Sequence, residues 1–451
     1  MGQLRRCHRC GVKSSVNPKW GEPWRVICGD TATTRRRSSR LKADPGSGAL
    51  TTSPRPAEAT SAGWRQPLRE ALAALPPERQ RQLRSFSASA EPAQLQPSPH
   101  PPLLDLASND YLGFSRHPAV RAAAADELQR SGLGAGASRL ISGTRPVHEQ
   151  LEEALADWLG RERALLFPSG FQANLAAVAA LADRHSLVLA DRLIHHSLLA
   201  GVKACGARLQ RFAHNDLADL ERRLSQARLD QPERRLLVLS ESLFSMEGTS
   251  PDLAALQAIC AGQGAALLLD EAHALGVLGP GGRGLGQRGD TAPALISGTF
   301  GKAFGSGGAF LAGDALVIEW LLQHSGAFRY TTALAPPLAA GALAALQLLQ
   351  EQERRGQAPG VALLERAGRW RDALQAAGWP RPAGQGPILP LLVGGDGQAL
   401  ALQQRLEQAG LLSVAIRPPT VPEGTARLRL VLRHDLPAGS LARLLEALGT
   451  P

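Results

Sequence analysis

Lysine is scarce in this chain. Five Lys stand beside 45 Arg, and beyond residue 60 only Lys203 and Lys302 remain. Arginine stays protonated in a protein, whereas a neutral lysine amine can attack a carbonyl and hold it as a Schiff base. A sequence that uses arginine for its ordinary cations makes each surviving lysine a candidate for chemistry. Lys302 lies in Thr299-Phe300-Gly301-Lys302-Ala303-Phe304-Gly305-Ser306-Gly307-Gly308, where small neighbours let a flat, bulky group reach the amine. Upstream, Asp270-Glu271-Ala272-His273 sets a carboxylate and an imidazole after an apolar run. Phe167-Pro168-Ser169-Gly170-Phe171-Gln172-Ala173-Asn174 reads as strand, small-residue turn and helix start. Such a turn is either a tight connection or, through the unpaired N–H groups of the helix start, a phosphate cradle.

Two other chemistries fail on spacing. An Asp-Glu-Ala-His motif could hold magnesium in a P-loop ATPase, but that needs GxxxxGK[ST]. Gly301-Lys302 has Ile296 in place of the first glycine, Ala303 in place of Ser or Thr, and follows the acidic motif instead of preceding it. Gly132-Leu133-Gly134-Ala135-Gly136 follows no convincing strand, so a flexible turn is preferred over a dinucleotide loop.

The elements that must position these residues follow from the apolar runs. Strands are expected at Ala164–Phe167, Leu187–Ala190, Leu236–Leu239, Ala266–Leu269, Leu295–Thr299 and Ala309–Leu311. They lack polar alternation, as strands buried on both faces do. Helices are expected between them, at Gln172–Leu181 and Leu253–Cys260. The alternation implies a parallel α/β sheet with right-handed crossovers. Further strands are expected at Ile388–Val393 and Arg427–Leu432, after a long Ala/Leu helix from about Pro336 to Gln352. Asp191, Ser240-Glu241, Asp270 and the Gly301-Lys302 turn each follow a strand. They gather at the carboxyl edge, where open parallel sheets bind ligands.

A phosphate cradle, an acid at a strand end, a lysine and nearby histidines fit one cofactor, pyridoxal 5′-phosphate. The lysine holds it, and the acid keeps the pyridine nitrogen protonated so that the ring accepts electrons. Over about residues 103–450 the chain resembles the α-oxoamine synthases, fold type I pyridoxal-phosphate enzymes. The resemblance is carried by Ser108-Asn109-Asp110-Tyr111-Leu112-Gly113, Ser169-Gly170-Phe171, Ala190-Asp191-Arg192-Leu193, Phe244-Ser245-Met246-Glu247-Gly248, Asp270 to His273 and Thr299 to Lys302. The run Ile416-Arg417-Pro418-Pro419-Thr420-Val421-Pro422 with Gly424 to Arg429 is similar to the branch that joins L-alanine to a pimeloyl thioester for biotin synthesis. Glycine- and serine-using relatives tend to lack the Arg-Pro-Pro-Thr run, and a glycine-using synthase is the alternative.

The resemblance implies an α/β fold with a large, mostly parallel sheet domain and a smaller C-terminal α+β domain. It implies Lys302 as the Schiff-base lysine that also moves the α-proton, Asp270 as partner of the pyridinium, and His195 stacked on the ring. It implies His273 and Ser245 near the ring's phenolic oxygen, and Gly170, Phe171 and Thr299 at the phosphate. Thr331 or Thr332, with Thr332 preferred, would reach the phosphate of the partner in a homodimer. Arg429 would hold the amino-acid carboxylate, with Asn109, Arg417 and Thr420 on the acyl side. Arg81 or Arg84, with Arg84 preferred, would supply the substrate-binding arginine of the N-terminal segment. Glu271 replaces a common Asp and is expected to point away from the ring. The acyl carrier is left open between coenzyme A and a carrier protein.

The charge of the chain falls into two parts. Of 50 Lys and Arg, 12 lie in residues 1–60, with 4 of the 40 Asp and Glu, so this stretch carries +8 of the net +10. Basicity therefore belongs to a Ser-, Pro- and Arg-rich extension, expected to be disordered, and not to a nucleic-acid surface. That extension resembles an organellar transit segment or is translated sequence upstream of the true start; otherwise a cytoplasmic enzyme is expected. Cys7-His8-Arg9-Cys10 is followed only by Cys28, without the matching second pair of a zinc site, and no metal is expected. No membrane span is expected. The expected organisation is an extension over 1–62, an N-terminal helical segment over 63–102, a cofactor domain over 103–335, and a linking helix with a small domain over 336–451.

Overall fold

The computed structural model describes residues 63–286 and 291–451. The expected extension over 1–62, with Cys7, Cys10 and Cys28, lies outside the described residues. The described residues fall into two units, 63–73 and Ala74–Pro451. In the first, α1 (Gln66–Ala73) carries an i,i+4 hydrogen bond from Gln66 to Glu70 at 2.9 Å. The expected helical segment over 63–102 is helical for little more than that. From Phe86 it turns to strand, as β1 (Phe86–Ala88), β2 (Gln94–Pro97) and, just beyond it, β3 (Leu103–Asp105).

The second unit is built on a seven-stranded sheet. Its strands are β4 (Arg163–Phe167), β5 (Leu187–Asp191), β6 (Arg208–Phe212), β7 (Leu236–Glu241), β8 (Ala266–Asp270), β9 (Leu295–Thr299) and β10 (Ala309–Gly313). They lie in the order β4-β10-β9-β8-β7-β5-β6. Six run parallel, and β10 runs antiparallel to both its neighbours. Both faces are apolar, as the unbroken runs require. Leu187 and Leu189 of β5 enter one core, while Val188 and Ala190 enter another on the opposite face.

The reversal at β10 makes the sheet mostly parallel, as expected, and has a length argument behind it. A parallel crossover needs a dozen or more residues. Only residues 300–308 separate β9 from β10, so the chain folds back as a hairpin with Ala309 opposite Thr299. Lys302 is thus carried on a hairpin loop. Gly305 closes it with φ +62, and a Cβ there would lie 2.0 Å from the Ser115 nitrogen. The edge strand β6 escapes the apolar-run rule because Arg208 and Arg211 face solvent, as charges on an edge strand do.

Helices α2 (Pro118–Ser131), α3 (Pro146–Leu159), α4 (Gly170–Leu181), α5 (His196–Cys205), α6 (Leu217–Asp230) and α7 (Leu253–Gly262) connect and flank these strands. After the short helices α8 (Ala315–His324) and α9 (Gly326–Arg329), the long α10 (Pro336–Arg354) packs on α2. The C-terminal part holds α11 (Pro359–Ala376), α12 (Asp396–Gln408), α13 (Ser440–Leu448) and an antiparallel sheet. That sheet comprises β11 (Ile388–Gly394), β13 (Val414–Ile416) and β14 (Ala426–Val431), in the order β11-β14-β13.

The expected break at residue 336 does not divide the unit. Leu389, Leu428 and Leu444 share one hydrophobic core with Leu104, Leu151 and Phe310. The two-residue β12 (Leu411–Leu412) pairs with β3 across the chain. Arg433 fastens the same junction. Its buried guanidinium reaches Asp105 at 3.2 Å, Asp435 at 2.8 Å and Asp110 at 3.5 Å. No helix among the described residues is long and apolar enough to cross a membrane.

Candidate active site

The carboxyl ends of the parallel strands deliver side chains to one cavity of about 250 Å³. Asp270 ends β8, and Glu241 ends β7 in register with it. Lys302 enters from the hairpin loop, Gly170 and Phe171 from the start of α4, and His195 from the cap of α5. Larger cavities of about 600 and 550 Å³ lie elsewhere and contain none of these groups. The chemically equipped residues converge on the smaller one.

Asp270 is buried, and its hydrogen-bond donors are both neutral. Oδ2 accepts from Asn174 Nδ2 at 2.7 Å and Oδ1 from the Ala272 nitrogen at 2.9 Å. A buried carboxylate without a cation is costly unless something positive joins it, and a protonated pyridine nitrogen is such a partner. Asn174 was not foreseen. It projects from the first turn and a half of α4, and its amide nitrogen also donates to Ser197 Oγ at 3.0 Å. Ser197 then has its own hydrogen for His195 Nδ1, 2.7 Å away. The network places the neutral imidazole's proton on Nε2. Desolvation pushes the His195 pKa down, against the pull of Asp270.

At the α4 start, Ser169 caps the helix and its Oγ accepts from the Gln172 nitrogen at 3.3 Å. Among the described residues, the N–H groups of Gly170 and Phe171 make no hydrogen bond, as a phosphate cradle requires. The Thr299 hydroxyl lies beside Gly170 but donates to the Gly308 carbonyl at 3.0 Å.

Lys302 is partly buried, and its amine has no hydrogen-bond partner among the described residues. Desolvation lowers its pKa to about 8, offset in part by Asp270 and Glu241, with Arg429 adding to the fall. About a tenth of the amine is therefore neutral at pH 7, far more than for an ordinary lysine, as a nucleophile needs. Modification of the cofactor-free protein by an aldehyde plus borohydride is expected to label Lys302 with a midpoint near pH 8. A midpoint at the ordinary lysine value, read by peptide mass spectrometry, would contradict this environment. The sign for stability is also fixed. A lysine whose folded pKa is depressed destabilises the fold below about pH 8, and that cost disappears as pH rises from 8 toward the ordinary value of 10.5.

His273 is buried on the same side, its pKa driven well below the ordinary value by burial first and Lys302 second. Its Nδ1 lies 2.6 Å from the Tyr111 hydroxyl. Burial raises the Tyr111 pKa to about 12, so the hydroxyl keeps its proton. Arg429, on β14, reaches across from the C-terminal sheet. Its Nη2 donates to Asn109 Oδ1 at 3.0 Å and its Nε to the Ser245 carbonyl at 2.6 Å. Its Nη1 makes no hydrogen bond among the described residues, leaving one edge for a carboxylate.

Other expected residues stand further out. Ser245 enters through its carbonyl and does not line the cavity. Arg84 is ion-paired with Glu407 and lies over the Phe86 ring. Arg81, the alternative, donates to Thr420 at 3.1 Å, and Arg417 is bound to the Glu78 carbonyl. Thr331 and Thr332 lie outside the cavity, and Thr332 is exposed. Glu271 points away as expected, its carboxylate taking the Leu285 and Gly286 nitrogens and the Ser242 hydroxyl. Glu241 and Asn174 line the cavity although neither was assigned a role from sequence. Glu241 was visible as a polar residue at a strand end; Asn174 had only its place in the helix start.

Residues 101–448 match the model of the aminotransferase class I and II family. The 8-amino-7-oxononanoate synthase of Chromohalobacter salexigens is 44% identical over 353 residues, 77% of this chain and 89% of that protein. The same-named protein of Pseudomonas aeruginosa is 45% identical over 354 residues, 77% of this chain and 85% of its own. Among solved structures, a serine palmitoyltransferase of Sphingomonas wittichii aligns with a TM-score of 0.75 at 27% identity, covering 88% of this chain and 97% of that one. An 8-amino-7-oxononanoate synthase of Francisella tularensis aligns at 0.65 and 26% identity, over 77% and 96%. The expected fold type I architecture is the one found. With its family model spanning both the strand-end cavity and the C-terminal sheet, the chain belongs to the class I and II aminotransferase family, in the group of the 8-amino-7-oxononanoate synthases.

Proposed function

We propose that this protein is a pyridoxal 5′-phosphate-dependent acyltransferase of biotin biosynthesis. It joins L-alanine to a pimeloyl thioester, releasing CO₂ and the thiol carrier, and yields 8-amino-7-oxononanoate. The observation that carries this reading is the pairing, in one cavity, of a lysine with depressed basicity and a buried carboxylate that forms no ion pair among the described residues. When bound, pyridoxal phosphate supplies a conjugated ring that accepts electrons from the amino acid's α-carbon.

The chain's own residues have the following roles. Lys302 holds the cofactor covalently and, once freed, its amine takes and returns the α-proton. Asp270, steadied by Asn174, holds a proton on the pyridine nitrogen. His195 covers one ring face in its Nε2–H form. Gly170 and Phe171 receive the phosphate on backbone N–H groups, with Thr299 beside them. His273, held by Tyr111, and Ser245 serve the phenolic-oxygen side. Arg429 binds the alanine carboxylate through its open edge. Asn109, Arg417 and Thr420, with Arg81 in place of the Arg84 first preferred, serve the acyl side. Thr332, exposed on the single chain, serves the phosphate of a second copy in a homodimer.

The higher TM-score with a serine palmitoyltransferase favours a second reading, in which another amino acid and acyl chain are joined. The identities, 44–45% against 27%, favour alanine and the pimeloyl group. Turnover assays decide between them. A methyl-sized pocket discriminates by about 10–200-fold, so alanine with pimeloyl-coenzyme A or the pimeloyl carrier protein is expected to exceed glycine or serine by that range in kcat/KM. Faster turnover of glycine with acetyl- or succinyl-coenzyme A, or of serine with a long-chain thioester, would replace this assignment.

A further inference from the structure

Glu241 is 3% exposed, yet none of the roles above uses it. It ends β7 in register with Asp270 of β8, so both side chains leave the sheet on the same face, from strands about 5 Å apart. Both line the cavity. Among the described residues the one hydrogen bond to the Glu241 carboxyl group comes from the backbone nitrogen of His195, to Oε1 at 2.7 Å. No arginine or lysine among the described residues forms an ion pair with it.

Resting on the cofactor assignment above, we propose that Glu241 is a positioning residue of the cofactor site: a neutral carboxylic acid that anchors the His195 backbone and leaves Asp270 as the anion facing the cofactor.

The argument is a comparison of two acids. Ionising one of two buried carboxylates on adjacent strand ends disfavours ionising the other. Asp270 has two N–H donors, one of them the Asn174 amide tied into the Ser197–His195 chain. Glu241 has one. Asp270 is therefore the better-supported anion, and the proton belongs to Glu241. Its surroundings agree: burial raises its pKa most, Asp270 adds to the rise, and Lys302 and the His195 N–H oppose it, with Glu247 contributing a further small rise. The anchor has its own logic. His195 precedes α5, and its N–H would be an orphan donor at the helix entrance without Glu241. Fixing that N–H fixes the Cα from which the stacking imidazole projects.

The test uses the full-length protein and pyridoxal phosphate itself. Glu241→Gln keeps an oxygen for the His195 N–H and mimics a neutral acid. It is expected to bind pyridoxal phosphate within about twofold of the parent, with the pH midpoint of the visible cofactor band unmoved. Glu241→Ala leaves that buried donor unsatisfied and frees the His195 backbone. It is expected to bind the cofactor about 10–100-fold more weakly. A downward shift of the band midpoint by about one unit in Glu241→Gln would show a charged glutamate and overturn the proposal, as would Glu241→Ala binding like the parent. If Glu241→Ala does not fold, the midpoint in Glu241→Gln still decides. Failure of the parent itself to bind pyridoxal phosphate would instead remove the cofactor assignment on which the proposal rests.

Discussion

Lys302→Ala is expected to lose the visible absorbance of covalently held cofactor and essentially all turnover. Removing a positioned proton-transfer group alone costs about 10²–10⁴ in rate, and loss of the covalent hold adds to that. The same substitution should not harm the fold. The amine makes no hydrogen bond among the described residues, and its depressed pKa, to about 8, means that the charged form is disfavoured where it sits. The cofactor-free variant should therefore melt no lower than the parent at pH 7, and the gap should close as pH rises past 8. Absorbance spectra with pyridoxal phosphate, a turnover assay and thermal melts at two pH values test all three. A variant that keeps both the visible band and normal turnover would sink the assignment of Lys302.

Asp270→Asn is the second large effect, and it separates charge from shape. The amide nearly matches the carboxylate in size, so the cavity should keep its form and some affinity for the cofactor. What is lost is the buried countercharge. Removing one partner of a buried ion pair costs about 3–5 kcal/mol, which corresponds to about 10²–10⁴ in rate if it falls on the transition state. Part of the damage will come from Asn174, whose amide then faces another amide where it had a carboxylate at 2.7 Å. Turnover close to that of the parent would remove Asp270 from the role of pyridine partner.

Much of this site could be read from the amino-acid order because its chemistry lies at strand ends. An apolar run followed by one polar residue marks both an element and its functional tip. The runs ending in Asp191, Glu241 and Asp270 became β5, β7 and β8. Lys302 stood out through scarcity, a compositional signal independent of structure. Other parts depend on pairing across long sequence distances, which no local pattern carries. Arg429 meets Asn109 across 320 positions, and only the family resemblance suggested it. Arg81, not Arg84, touches Thr420 because the segment near residue 80 crosses to the loop near residue 420, and nothing in Arg-Gln-Arg-Gln-Leu-Arg distinguishes the two. Asn174 was missed for a different reason. An asparagine in a helix start is usually a local capping residue, and only the approach of β8 makes it a partner for Asp270. The antiparallel β10 was legible in principle from the short link before it, since nine residues cannot carry a crossover.

The shared core of the second unit also has a consequence for synthesis on the ribosome. Every residue assigned to hold the cofactor within one chain lies between Gly170 and Lys302, and is made well before Arg429. Yet Leu104, Leu151 and Phe310 share their core with Leu428 and Leu444, which emerge last. A growing chain that has already exposed the reactive lysine still lacks the strands that bury those residues. Cofactor capture and substrate recognition should therefore mature together on release, and a transcript truncated before β14 should yield an aggregation-prone fragment, not a pyridoxal-loaded half-enzyme.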